Sequence, residues 1–224
     1  EFTLQAVRKL FDMGCQLVIL ACNTASAKAL RTIQQKDLPH IADGSRRVLG
    51  IIRPTAECIG QITQTRHVGI LATLGTIGSN SYPLEINKFY PDIVVTGEPC
   101  PMWVPLVEND EHRSPGADYF IKKRIDNLLL KDPEIDSIIL GCTHYPLLMD
   151  KIMEYTPNHI KIISQGEYVA NSLKDYLSRH TEIATRCTKG ATCRFLTTES
   201  AEKFNESASI FLSHQVEAER VVLG

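Results

Sequence analysis

The sequence predicts an α/β fold made of two pseudo-symmetric, doubly wound lobes of parallel sheet, with an active site in the cleft between them. Continuous runs of Val, Ile and Leu at 17–20 and 138–140 are typical of strands buried on both faces of a parallel sheet. Helical patterns of roughly 10–15 residues separate such runs, as in βαβ units. Similar contexts follow these two runs, at 21–24 and 141–144, each a cysteine with polar neighbours. This repetition indicates one structural unit that is used twice.

Apolar periodicity and turn-forming residues define the elements of the first half. Apolar residues recur at helical spacing from Phe2 to Met13, and Gly14 ends that helix. The run at 17–20 follows as a strand, and Pro54 is tolerated in the first turn of a later helix. The elements predicted after this first strand are a helix at 25–35, a strand at 48–52, a helix at 54–64, a strand at 68–72, a helix that ends at Phe89 and a strand at 93–96.

The second half continues the alternation after a proline-rich interruption. Three prolines within 99–108 predict an irregular or short-helical segment, and a polar loop follows at 109–116. The elements predicted beyond it are helices at 117–130, 145–155, 166–179 and 199–214 and strands at 137–140, 160–163, 193–197 and 220–223. From this order we expect a first lobe over 1–52, a second lobe over 53–166 and a return of the chain to the first lobe over 167–224.

Composition excludes several classes of function. The 224 residues are enough for one large or two small domains. A formal charge of −2, from 24 basic and 26 acidic residues, predicts no nucleic-acid partner. No apolar run approaches the roughly 20 residues that span a bilayer, so we expect no membrane partner and no secretory leader.

The cysteines predict a reducing environment. Seven cysteines, scattered without a framework spacing, are typical of free thiols in a cytoplasmic protein. Cys187 and Cys193 lie close together in the chain, but no Cys-x2-Cys pair exists, and His180 and His214 complete no metal-binding motif. We therefore expect no structural metal.

Cys22 and Cys142 are the candidate reactive groups. Each stands between a predicted strand and a predicted helix, at the sheet edge where α/β proteins bind ligands, and the helix dipole there favours a thiolate. Simple packing is the alternative for either cysteine. One thiolate could be the nucleophile of a hydrolase or transferase. Two facing thiols suit a different task, because one can remove a proton from a carbon while the other returns a proton to the opposite side, which is racemisation.

Four stretches of the chain carry a resemblance to a known family. These stretches are 21–26, 72–77, 100–108 and 141–148. They occur in the family order, and the chain resembles the cofactor-independent aspartate/glutamate racemase family, in particular its glutamate racemases. The resemblance covers most of the sequence. It implies interconversion of L- and D-glutamate for peptidoglycan synthesis, without a cofactor, by a homodimer.

The same resemblance implies roles for individual residues. Cys22 faces the α-proton of D-glutamate and Cys142 that of L-glutamate, while His144 and Glu108 assist Cys142. The residues that it implies for holding the substrate are Asn23, Thr24, Thr73, Thr76, Thr143 and His144. Hydroxyls and amides can orient a zwitterion without adding a charge that competes with the thiolates. Each role has a simpler alternative: helix N-capping for the threonines such as Thr76, a buried and hydrogen-bonded imidazole for His144, and a solvated loop carboxylate for Glu108.

One part of the family pattern is not in this sequence. The resemblance implies an opening strand with an Asp-Ser-Gly motif, whose Asp assists the first cysteine and whose Ser binds substrate, and a later Tyr-Gly pair. Because a helix begins at the first residues, we expect a strand ahead of Glu1. Three other functions stay open: a racemase of aspartate or another acidic amino acid, a catalytically incomplete α/β binding protein, and a cysteine hydrolase that uses Cys142 and His144.

Overall fold

The structure is a computed structural model that describes residues 1–41 and 44–223. All strand pairs in this part of the chain are parallel. The strands are β1 Leu17–Leu20, β2 Arg47–Gly50, β3 His67–Ala72, β4 Val94–Pro99, β5 Ser137–Gly141, β6 Lys161–Ile163, β7 Phe195–Thr197 and β8 Ala218–Arg220. In the described part they form a β1–β2 pair, a four-stranded sheet of order β4-β3-β5-β6 and a β7–β8 pair. The predicted α/β class with parallel sheets is therefore confirmed.

Helices connect the strands throughout the described chain. They are α1 Phe2–Asp12, α2 Asn23–Thr32, α3 Leu38–Ile41, α4 Ile52–Ile62, α5 Leu74–Gly78, α6 Ser81–Phe89, α7 Trp103–Glu108, α8 Pro115–Lys131, α9 Met149–Tyr155, α10 Gly166–Arg179, α11 Thr181–Ala184 and α12 Ala201–Leu212. A π-helical turn, Ile33–Asp37, joins α2 to α3, and a 3₁₀ turn, Tyr145–Leu148, precedes α9. Of these helices, none is both long enough and apolar enough to cross a membrane.

Two apolar layers cover the four-stranded sheet. Successive side chains of a strand point to opposite faces, and β3 and β5 supply both layers in this way. One layer packs helices α7, α8 and α9 on the sheet, and its central side chains are Leu71, Trp103, Ile121, Ile125, Leu128, Ile138 and Leu140. The other layer packs α4 and α6, and its central side chains are Ala56, Ile59, Val68, Ile70, Tyr82, Ile86 and Ile139. This double cover explains the continuous apolar run of β5, whose residues are all buried.

The strand before Cys22 is covered on one face only. In β1, Val18 and Leu20 are buried and pack with Val7 and Phe11 of α1, whereas Leu17 and Ile19, on the other face, are only half-buried. The expectation that both cysteine strands are buried on two faces is thus right for β5 and wrong for β1. The apolar composition of β1 alone could not distinguish the two cases, because a half-buried strand tolerates aliphatic residues on its outer face.

Several predicted boundaries move for local reasons. The helix expected to run to Phe89 is divided into α5 and α6, since Asn80 takes a left-handed conformation (φ 55°) and Ser79 donates its hydroxyl to the carbonyl of Thr76. The last strand lies at Ala218–Arg220, ahead of the predicted 220–223. β7 and β8 pair with each other, so the return of 167–224 to the first lobe, and the division of the lobes at 52 and 166, stay predictions.

The sheet order places several strand ends at one crevice. In the order β4-β3-β5-β6 the chain runs outward in both directions from the β3–β5 pair, and ligands of open α/β sheets bind at such a switch point, outside the carboxyl ends of the strands. Ala72 of β3 pairs with Gly141 of β5. The residues that follow them, Thr73 and Cys142, therefore stand side by side at this crevice.

Candidate active site

Cys142, His144 and Glu108 form a line of three chemically active side chains. Cys142 is the first residue after β5 and is buried. Its Sγ lies 3.8 Å from Nδ1 of His144, and Nε2 of His144 lies 3.2 Å from Oε1 of Glu108 at the end of α7. The imidazole therefore connects a buried thiol to a carboxylate at the surface. The structure brings these three residues together, and the roles that the resemblance implies for them stay predictions.

The surroundings of Cys142 favour its neutral thiol. Burial raises the pKa of Cys142, the backbone N–H of His144 opposes this effect, and a charge on Cys22 raises the pKa further. The helix predicted at 145–155 begins as a 3₁₀ turn at Tyr145–Leu148 and becomes α-helical only from Met149. Burial therefore outweighs the polar groups that favour a Cys142 thiolate, and the effect expected from a helix dipole stays a prediction.

Cys22 occupies a different environment. Its side chain is exposed, and it lies two residues after the end of β1, as the N-cap residue of α2. The predicted position of Cys22 between a strand and a helix is therefore confirmed. Its carbonyl accepts the backbone N–H of Ser26, as the first bond of the helix. The two thiols follow strands of different sheets, and α2 approaches the Cys142 side through Thr24, which contacts Thr73, and Asn23, which contacts Gln165.

Three threonine hydroxyls form a compact cluster between α2 and α5. Oγ1 of Thr24 lies 2.8 Å from Oγ1 of Thr73 and 3.1 Å from Oγ1 of Thr76, and Thr73 lies 3.1 Å from Thr76. The capping residue of α5 is Thr73, which accepts the N–H of Thr76 at 3.2 Å, so the capping alternative applies to Thr73 rather than to Thr76. Gly75 permits this approach, because a Cβ there would lie 3.0 Å from Cγ2 of Thr24.

The side chain of Asn23 is buried and fully oriented by two partners. Its Oδ1 accepts the hydroxyl of Tyr82 at 2.7 Å, and its Nδ2 donates to Oε1 of Gln165 at 2.8 Å. The proposed substrate contact of Asn23 stays a prediction. Sequence reasoning did not identify Tyr82 or Gln165, although one signal was available: Gln165 stands just beyond β6, at the same sheet edge as Cys142.

A cavity of about 250 Å³ lies beside Cys142. It is smaller than the roughly 300–1,000 Å³ of pockets for drug-sized ligands, which suits a small substrate. Its lining residues are Ala21, Ile51, Leu140, Cys142, Thr143, Pro146, Ser164, Gln165, Gly166 and Val169. Residues of both halves thus enclose it, and the exposed Thr143 stands at it as expected.

Two other places hold none of this chemistry. A shallower depression of about 410 Å³ lies between α12 and residues 215–217, and no predicted site residue lines it.

Within residues 1–41 and 44–223, no group of three or more His, Cys, Asp and Glu side chains is placed to hold a metal ion.

Comparisons with known proteins find relatives of this chain in sequence and in structure. A family model described as Asp/Glu/Hydantoin racemase matches residues 2–173. A glutamate racemase of Dinoroseobacter shibae is 34% identical over 227 residues, which are 97% of this chain and 80% of that protein. A glutamate racemase isoform of Bacillus anthracis has a similar structure, with a TM-score of 0.87 and 28% identity over 99% of this chain and 79% of that one. The glutamate racemase of Francisella tularensis, solved in complex with D-glutamate, has a TM-score of 0.81 and 28% identity over 100% of this chain and 78% of that one.

Proposed function

This chain belongs to the Asp/Glu/Hydantoin racemase family, and from that membership and the arrangement of its cleft we propose that it interconverts L-glutamate and D-glutamate. The proposed reaction uses two cysteine side chains as its acid and base and needs no cofactor. One arrangement supports the proposal: a buried thiol with an imidazole 3.8 Å from its sulfur follows β5, and an exposed thiol is the N-cap of α2, whose next two residues hydrogen-bond Gln165 and Thr73 at the same crevice. D-glutamate, the product, serves peptidoglycan synthesis.

In the proposed direction from D- to L-glutamate, the Cys22 thiolate removes the α-proton and leaves the electron pair on the α-carbon. The neutral Cys142 thiol then donates its proton to the opposite face of that carbon. The products are L-glutamate, a Cys22 thiol and a Cys142 thiolate, so protons and charge balance. The reverse direction begins from that last form of the enzyme. Burial of Cys142, which favours its neutral form, suits its role as the acid.

His144 and Glu108 would make the Cys142 thiolate accessible when L-glutamate is the substrate. An imidazolium stabilises an adjacent thiolate, and a carboxylate on the far nitrogen stabilises the imidazolium. The distances of 3.8 Å and 3.2 Å place the two groups for this task. The carboxylates and ammonium of the substrate would be held by the threonine cluster, Thr143 and Asn23, which orient charge without adding any.

Solvent exchange tests the proposal directly. Glutamate is incubated with the protein in D₂O, and loss of the α-proton is followed by NMR while inversion is followed by chiral chromatography. A racemase incorporates deuterium and inverts the centre; a binding protein or a hydrolase does neither. Parallel incubations with aspartate distinguish a racemase of another acidic amino acid. Absence of both exchange and inversion with glutamate would contradict the proposed function.

Substitution of each thiol tests the two-base scheme. We expect Cys22→Ala and Cys142→Ala each to abolish racemisation in both directions, because every turnover needs one thiolate and one thiol. Cys193→Ala is a matched control, since Cys193 is also an exposed free cysteine but belongs to the C-terminal region. Turnover near the wild-type rate in either of the first two variants would favour a one-base or nucleophilic mechanism.

A cysteine hydrolase is the second candidate. A thiol, an imidazole and a carboxylate in line are also the arrangement of an activated nucleophile, its base and the group that orients the base. That function leaves Cys22 without a task. A hydrolase would form a covalent intermediate at Cys142, detectable as an added mass after quenching with an ester substrate, whereas the proposed racemase forms none.

Two further properties complete the proposal. We propose that the chain works as a homodimer in the cytoplasm, where its seven cysteines, all free thiols in this structure, remain reduced. Light scattering tests the assembly and should give twice the mass of one chain. A mass equal to one chain at working concentration would contradict the dimer.

A further inference from the structure

Two buried amides and a buried phenol form a hydrogen-bonded network beside the two cysteines. Nε2 of Gln165 donates to the carbonyl of Ile51 at 3.2 Å and to Oγ1 of Thr55 at 3.1 Å. Its Oε1 accepts Nδ2 of Asn23, whose Oδ1 accepts the hydroxyl of Tyr82. Asn23 and Tyr82 are each 2% exposed and Gln165 is 7% exposed. The Asn23–Tyr82 end of the network is therefore shielded from solvent, and a partner lost there is not readily replaced by water.

The network has one orientation, and its two ends determine it. The carbonyl of Ile51 can only accept, so Gln165 must turn its NH₂ towards Ile51 and its oxygen towards Asn23. Asn23 must then present its NH₂ to Gln165 and its oxygen to Tyr82. Burial raises the pKa of Tyr82, so the phenol keeps its proton and remains a donor at the other end. A flip of either amide would place two acceptors or two donors face to face.

Tyr82 also touches the backbone that carries the second cysteine. A Cβ on Gly141 would lie 3.2 Å from Cε2 of Tyr82 and 3.0 Å from Cβ of Ala72, so the ring packs directly on the residue before Cys142. Gln165 lines the same cavity as Cys142. The hydroxyl of Tyr82 and Oε1 of Gln165 both hydrogen-bond the side chain of Asn23, the residue after Cys22. The network thus spans from one cysteine to the other.

We propose that Tyr82 and Gln165 are positioning residues that hold Asn23, and through it Cys22, in register with Cys142. The proposal rests on the proposed racemase function and deepens it, since neither residue exchanges a proton with substrate. A two-base racemase needs both sulfurs on opposite faces of one carbon. A displacement of about 1 Å in such a geometry lowers the rate by about 100-fold. Because Cys22 is exposed and stands between β1 and α2, its position depends on contacts beyond its own sheet.

Tyr82→Phe and Gln165→Met test the proposal with little change in shape. The first removes only the donor to Asn23, and the second keeps the side-chain length while removing all three hydrogen bonds of the amide. Tyr90→Phe is the matched control: Tyr90 is the residue after α6, its hydroxyl donates to the carbonyl of Glu57 at 2.8 Å, and it touches neither cysteine region. Each variant therefore loses buried or half-buried hydrogen bonds, but only the first two lose contact with Asn23.

The decisive measurement is the ratio of α-hydrogen exchange to inversion for each enantiomer in D₂O. If Cys22 is displaced, Cys142 can still remove the proton of L-glutamate and return a deuteron to the same face. We expect exchange without inversion to increase at least tenfold for L-glutamate in Tyr82→Phe and Gln165→Met, with kcat for inversion lowered 10- to 100-fold and KM changed less. A defect of folding alone lowers exchange and inversion equally and leaves the ratio unchanged.

Hydrogen–deuterium exchange of backbone amides provides a second arm that needs no activity. We expect faster exchange in peptides that cover the start of α2 in Tyr82→Phe and Gln165→Met, and wild-type exchange there in Tyr90→Phe. If the wild-type protein fails to racemise glutamate, the proposed function is contradicted. Backbone amide exchange still tests the hydrogen-bonded network in that case. Unchanged amide exchange at α2 overturns the proposal. Faster amide exchange together with a wild-type ratio of exchange to inversion also overturns it, because the network would then be structural only.

Discussion

Replacement of His144 by Asn should slow the Cys142 half-reaction and leave the Cys22 half-reaction nearly intact. The imidazole lies 3.8 Å from the Cys142 sulfur, which is buried and has a raised pKa. Asn keeps a hydrogen-bonding amide of similar size but cannot titrate or carry charge. Loss of an acid–base helper typically costs about 10²- to 10⁴-fold in rate, and we expect a loss in this range.

Glu108→Gln should have a much smaller effect, and the structure gives the reason. The His144–Glu108 pair is 3.2 Å long, but the two side chains are 32% and 60% exposed, so water screens their attraction. Exposed ion pairs contribute about 0–1 kcal/mol, which corresponds to at most about fivefold in rate. The control is His180→Asn: His180 and Glu182 form a pair of the same length with 36% and 59% exposure, away from the cleft. We expect no loss of rate in that variant.

The assay uses α-deuterated glutamate of each configuration. The equilibrium constant of a racemisation is one, so a slow step cannot favour one enantiomer at equilibrium. It can change which step limits each direction. In His144→Asn, the isotope effect on turnover should grow for L-glutamate, from which Cys142 removes the deuteron, and should not grow for D-glutamate. Equal growth in both directions would mean that His144 serves binding or both thiols, and would refute this reasoning.

Three further changes test other parts of the structure. Burial of Asp136 raises its pKa, but hydrogen bonds from Thr63 and from the loop that precedes β3 outweigh this effect and lower the pKa to about 2. Asp136→Asn should therefore reduce the free energy of unfolding by about 1–2 kcal/mol at pH 7, a difference that is lost as pH falls from about 4 to 2. Gly75→Ala should raise KM for glutamate about fivefold or more, since its Cβ would press on Thr24 at 3.0 Å. Alkylation of Cys142 by iodoacetamide should show a midpoint above the pH of about 8.5 that is typical of a free thiol, because burial raises its pKa.

Each of these three predictions has a matched control variant or an outcome that would contradict it. Chemical denaturation checks Asp136→Asn against Asp126→Asn, an exposed carboxylate that pairs with Lys122; equal losses in the two variants would contradict the role of the hydrogen bonds to Asp136. Gly78→Ala in the same helix is the control for Gly75→Ala, because nothing lies within 4 Å of its Cβ. An alkylation midpoint at or below that of free cysteine, followed by mass spectrometry of the Cys142 peptide, would show that polar groups outweigh burial.

Local pattern was sufficient to predict most of the fold. The alternation of apolar runs with helical segments identified the parallel α/β class, and four strands, β1, β3, β5 and β6, both begin and end within one residue of their predicted limits. Local pattern failed where backbone geometry changes within a few residues, as at Asn80, where a left-handed residue divides α5 from α6. It also failed where burial depends on distant elements, as in β1.

The sequence predicted which residue types form the candidate site, but only some of the contacts between them. The sequence alone determined the two cysteines at repeated strand ends, and with them the polar residues that follow. The tertiary structure decided which partners those residues have: Thr24 meets Thr73, 49 positions away, and Asn23 meets Gln165, 142 positions away. It also decided that Cys142 is buried and Cys22 exposed, which makes two similar motifs chemically unequal. The physical reason is that backbone periodicity is a property of neighbours in the chain, whereas desolvation and hydrogen-bond partners depend on segments that meet only when the chain has folded.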